Sequence, residues 1–111
     1  MSGPVLSLAA AGLLRGMIAR SDASRSEVLL TEVRSTDWRS LTFDGERHEI
    51  GVRFVGPGAE READRMIDGI EDHEFAIPGT IVVDIAVAGR CIGLTDGSVA
   101  LAIEALTICG D

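Results

Sequence analysis

The sequence predicts an α+β domain: two layers built on an antiparallel sheet of four or five strands, with the element order α-β-β-α-β-β. Three observations predict it. Asp44-Gly45 stands between the apolar run Leu41-Thr42-Phe43 and the alternating residues His48, Ile50, Val52 and Phe54, the strongest short-range hairpin signal. An amphipathic pattern follows, with Ala59, Ala63, Met66, Ile67 and Ile70 on one side and Glu60, Arg61, Asp64, Asp68 and Glu71 on the other, the mark of a helix laid on a core. A second alternating run, Ile81, Val83, Ile85 and Val87, precedes another turn signal at Thr95-Asp96-Gly97.

The first element is a helix over residues 4–19, with Ser2 as N-cap, Pro4 in the first turn, and Leu6, Ala10, Leu13, Leu14, Met17 and Ile18 at helical spacing. Gly12 and Gly16 lie one turn apart on it. Small residues so spaced let another backbone approach closely, either the domain's own sheet or a second copy. Residues 21–26 are polar and read as a linker, dividing the chain into an N-terminal helix and linker (1–26) and a ββαββ domain (27–111).

The first strand is expected over residues 27–43, with a bulge or break between Arg34 and Asp37. A two-residue turn at Asp44-Gly45 sets Phe43 opposite Glu46, Leu41 opposite His48 and Arg39 opposite Ile50. Leu41, Phe43, Ile50, Val52 and Phe54 then share one face, and Trp38 lies on the other, over the bare backbone of Gly51. The second helix starts at Pro57-Gly58 and runs to about Asp72, and a strand follows over 80–88. Residues 98–108 contain good helix formers, yet Val99, Leu101 and Ile103 alternate after a hairpin turn, so a strand is expected there.

The last two strands are apolar on both faces, so the second face of the sheet needs a cover, either the N-terminal helix or a second subunit. This predicts a homodimer packed through Trp38, Val82, Ala86, Ala100 and Ala102, with Gly12 and Gly16 as a further contact.

Charge narrows the function. Eighteen acidic residues against ten basic give a net charge of −8 and a pI near 4.6. A nucleic-acid binder needs a cationic stripe, and an anionic membrane repels this surface, so neither partner is expected. Every basic residue is arginine, and lysine, asparagine, glutamine and tyrosine are absent; this reads as the codon bias of a GC-rich bacterial genome and removes Schiff-base and P-loop lysines from the possible chemistry. The apolar run from Pro4 to Leu14 lacks a basic leader and is too short to span a bilayer. Cys91 and Cys109 are too few for a disulfide framework and lie far apart along the proposed ladder, near Ala102 and Asp84 respectively, so reduced thiols and a cytoplasmic setting are expected.

The chemical candidates are His48, at a core-side strand position, and Asp84 and Glu104, which each interrupt an apolar strand. Buried carboxylates need partners, and Arg39, Arg53 or Arg90 can supply them. Asp72-His73-Glu74 holds three ligand types in a row, but neighbouring residues rarely converge on one ion, and a solvated loop is the expectation. No nucleophile elbow, dinucleotide loop or phosphate loop is present, and neither a metal nor a cofactor is expected. The leading expectation is a non-enzymatic, self-associating interaction or regulatory module. The alternatives are a small-molecule binder using Trp38, Arg39 and His48, with Asp84 and Glu104 as further candidate contacts, and an acid-base enzyme using Asp84, Glu104 or His48.

Overall fold

A computed structural model describes residues 6–93 and 95–110. Helix α1 spans Leu8–Ser21, strands β1 and β2 span Glu27–Arg39 and Asp44–Val55, helix α2 spans Ala59–Ile67, and strands β3 and β4 span Thr80–Ile92 and Val99–Cys109. The four strands form one antiparallel sheet in the order β1-β2-β4-β3. The expected α+β class and element order are those of the molecule.

Both helices lie on the same face. Leu13 and Met17 of α1 and Ala59, Ala63 and Met66 of α2 pack with Ile50, Val52 and Phe54 of β2 and Val99, Leu101 and Ile103 of β4 in one buried cluster. Each fully buried side chain of the size of Leu13 or Phe54 contributes about 1.5–3 kcal/mol. The N-terminal helix therefore belongs to the core and leaves the second face of the sheet open. The shortest molecular dimension, 20 Å, accommodates one helical layer on one sheet.

Helix α1 begins where Ser7 caps it, its hydroxyl accepting from the amide of Ala10 at 3.1 Å; the proposed cap Ser2 lies outside the described residues. Gly12 and Gly16 are covered within the chain, because a Cβ at these positions would meet Ile77 and the Phe75 ring, both at 2.7 Å. The segment after α2 fills the space that the domain's own sheet or a second copy was expected to fill.

The hairpin differs from expectation. Its loop is Ser40–Phe43, closed by the pair Arg39 and Asp44, and Asp44-Gly45 belongs to β2. The Ser40 hydroxyl accepts from the amide of Phe43 at 3.0 Å, and the Ser40 amide donates to the Phe43 carbonyl at 2.8 Å. A serine that turns the chain by its own side chain competes with the Asp-Gly signal. Leu41 and Phe43 consequently stand in the loop, exposed, rather than in the core. Trp38 pairs with Gly45 instead of Gly51, and His48 with Ser35 instead of Leu41.

Bulges set the remaining parities. The extra residues are Thr31 in β1 and Val83 and Ala88 in β3, so the break expected at 34–37 falls earlier. Both bulged strands are sheet edges, where a bulge twists an exposed ladder away from unwanted pairing. The bulge at Val83 turns Val82 to the helix side, opposite Thr107, while Asp84 and Ala86 face outward. Val82 is thus removed from the expected interface face. Cys91 pairs with Ala100 and Cys109 with Thr80, and both are free thiols exposed at opposite ends of the ladder.

Candidate functional site

The helix side holds the most chemically specific cluster. His48 is 1% exposed, and each ring nitrogen meets a hydroxyl: Nδ1 lies 2.8 Å from Ser35 Oγ and Nε2 lies 2.8 Å from Thr107 Oγ1. The ladder explains the convergence. Ser35, His48 and Ala105 form one rung across β1, β2 and β4, and Thr107 lies two residues further along β4 on the same face, opposite Glu46. Burial lowers the pKa of His48 below its ordinary value, and the Glu46 carboxylate opposes that shift. The ring is neutral at pH 7, donating through one nitrogen and accepting through the other.

Next to this line is a small cleft of about 260 Å³ at the hairpin-loop end of the sheet, lined among others by Asp37, Trp38, Arg39, Glu46, Thr107 and Cys109. Two expected ligand residues, Trp38 and Arg39, thus meet in one cleft. His48 stands behind it, one hydrogen bond away through Thr107. Arg39 is already engaged, its Nε 3.0 Å from Asp44 Oδ1. A broader hollow of about 1180 Å³ runs beside α2, lined by charges of both signs including Arg25, Glu60, Arg61 and Asp64.

Asp84 and Glu104 do not join His48. They lie on the open face, where both are exposed, with the whole sheet between them and the imidazole. An acid-base site uniting these three residues is therefore ruled out by parity. On that open face the rungs run Arg34, Glu49, Glu104, Ala86; then Thr36, Arg47, Leu106, Asp84; then Trp38, Gly45, Ile108, Ile81. Ala100 and Ala102 share it. Arg34 bridges Glu32 at 3.8 Å and Glu49 at 3.5 Å. Among the described residues, Arg47, Asp84 and Glu104 have no opposite charge within the 4.0 Å of an ion pair.

His73 has a structural partner. Its Nδ1 accepts from Arg20 Nη1 at 2.8 Å, and its ring meets Phe75 edge-to-face with centroids 4.6 Å apart. Arg20 also donates to the carbonyls of Met66 and Asp68, closing the end of α2. Among the described residues, no group of three His, Cys, Asp or Glu side chains is placed to hold a metal, and no helix is long and apolar enough to cross a membrane.

Comparison of the chain with protein-family models, with curated proteins and with solved structures finds no match. Function is therefore read from geometry. Sequence reasoning missed Ser35 and Thr107, which stand 13 and 59 residues from His48. The available signal was Ser40: a loop closed by that serine puts Ser35, rather than Leu41, across from the histidine.

Proposed function

We propose that this protein is a self-associating interaction module in which two copies pack through the open face of the sheet. One observation carries the reading: the face left bare by both helices bears Trp38, Ile81, Leu106 and Ile108 together with three charges, Arg47, Asp84 and Glu104, that have no ion-pair partner among the described residues. The charges divide across the sheet. Arg47 lies on β2, while Glu104 and Asp84 lie on β4 and β3.

A two-fold axis running along the strands between β2 and β4 brings the β1–β2 half of one copy over the β4–β3 half of the other. Arg47 then sits above the partner's β4, within reach of acidic residues on both sides of the interface. A symmetric contact of this kind is isologous and closes as a dimer. Leu106 lies between Arg47 and Asp84, and beyond Glu49 and Glu104 the next rung on this face is small, Gly51, Ala102 and Gly89, so two sheets can approach there at the usual spacing of about 10 Å.

Light scattering coupled to size exclusion tests the reading. A dimer is expected for the full chain, a weaker one for Arg47→Glu and for Asp84→Arg, and recovery in the double charge reversal. A full chain that stays monomeric at high concentration overturns it.

A further inference from the structure

On the opposite side of the sheet, we propose a second, chemical activity: Ser35 is an activated nucleophile toward small activated acyl esters, with His48 as its general base and Thr107 as the residue that positions the imidazole. This goes beyond self-association and does not depend on it.

The arrangement is a line of hydroxyl, imidazole and hydroxyl. Ser35 is exposed on the edge strand β1, while His48 behind it and Thr107 behind that are each 1% exposed. A nucleophile must reach its substrate and its base must be held still and kept from water; the burial gradient along this line meets both needs. Thr107 Oγ1 bears on Nε2, the ring nitrogen away from Ser35. When Nε2–H donates to Thr107, Nδ1 carries the lone pair and is the acceptor for the serine proton. The Thr107 hydroxyl can accept or donate; it orients the ring, and the reactive form is the tautomer in which it accepts, the generalised logic of nucleophile, base and orienting residue.

Room for a substrate adjoins this line. Asp37, the next inward-facing residue on β1 about 7 Å beyond Ser35, lines the 260 Å³ cleft, as does Thr107. The cleft is smaller than the roughly 300 Å³ at which pockets for drug-sized ligands start, and Ser35, which does not line it, meets a small ester from the exposed edge of β1.

In the step proposed, Ser35 Oγ attacks the carbonyl carbon and its proton passes to His48 Nδ1. The tetrahedral adduct collapses with cleavage of the ester C–O bond. The leaving oxygen departs with that electron pair and takes the proton from Nδ1, so the ring returns neutral and Ser35 is left as its O-acyl ester.

The test uses p-nitrophenyl acetate on the full chain, with acetylated residues located by peptide mass mapping. Ser35 is expected to acetylate at least about tenfold faster than Ser40, an exposed serine without an imidazole, and the reaction at this position disappears in Ser35→Ala. His48→Gln should slow acetylation of Ser35 by about a hundredfold, the lower end of what a positioned general base supplies. Thr107→Val should slow it by about tenfold, and Thr107→Ser, which keeps the hydroxyl, should restore it; a merely structural role for Thr107 does not require that rescue. Circular dichroism shows whether each variant folds, and the Thr107 pair decides the matter if His48→Gln does not. A wild-type Ser35 no more reactive than Ser40 overturns the proposal, and so does an unchanged Ser35 rate in the folded base or positioning variants.

Discussion

Ser26 donates its hydroxyl proton to Glu62, and the same carboxylate accepts from the amides of Ser24 at 2.8 Å and Arg25 at 3.0 Å. One side chain of α2 thus ties down the segment that leads from α1 into β1. These bonds to the charged form hold the Glu62 pKa down from 4.5 to about 2. A depressed carboxylate pKa stabilises the fold fully above the unfolded value and loses that stabilisation as pH falls from 4.5 toward 2. Thermal unfolding should therefore separate the wild type from Glu62→Gln by a constant interval above pH 4.5, and the two curves should converge toward pH 2.

His48 imposes a linkage of opposite chemical origin. Burial keeps its ring neutral, so above its ordinary pKa of 6.5 folded and unfolded chains carry the same charge there. Below 6.5 the unfolded chain takes up the proton first, and stability falls until the lowered folded pKa is passed. A single proton limits the slope to about 1.4 kcal/mol per pH unit. Proton NMR of the imidazole should give a midpoint below 6.5 in the folded protein, and urea unfolding should lose stability as pH drops below that value.

Leu13 tests whether α1 is integral to the domain. Its side chain is 0% exposed within the common core, so Leu13→Ala should cost about 2–5 kcal/mol. Urea denaturation should remain a single transition with a lower midpoint. A cost near zero would mean that α1 is not integral to the core.

Gly45 is a place where a side chain cannot fit. A Cβ there would run into the backbone carbonyl oxygen of Thr107, with Ile108 Cα 3.0 Å away. Both obstacles are backbone in the neighbouring strand and cannot rotate aside. Gly45→Ala should destabilise by about 3 kcal/mol, the upper end for an overpacked site. Gly97→Ala meets no neighbour within 4 Å and pays only for its φ of +68°, about 1 kcal/mol; paired denaturation curves separate the two causes.

What the sequence by itself determined is carried by periodicity. The 3.6-residue pattern of Ala59, Ala63, Met66 and Ile70 and the two-residue pattern of Ile50, Val52 and Phe54 depend only on local geometry and name the core face of α2 and β2. The alternation of Val99, Leu101 and Ile103 likewise identified β4 against its helix-forming composition. Tertiary structure decided register, and register decided the candidate sites. Ser40 closing a four-residue loop shifted every partner of β1, moving Leu41 and Phe43 out of the core and Ser35 onto His48. A single extra residue at Val83 turned Val82 inward and left Asp84 outside, because a strand reverses its faces with each residue inserted. The three residues of the hydroxyl–imidazole line lie on three strands, and no local pattern specifies which rung of one strand meets which rung of the next. Between β2 and β4 that is settled by the burial of Ile50, Val52, Leu101 and Ile103 under the two helices, and between β1 and β2 by the hydrogen bonds of one serine in the loop.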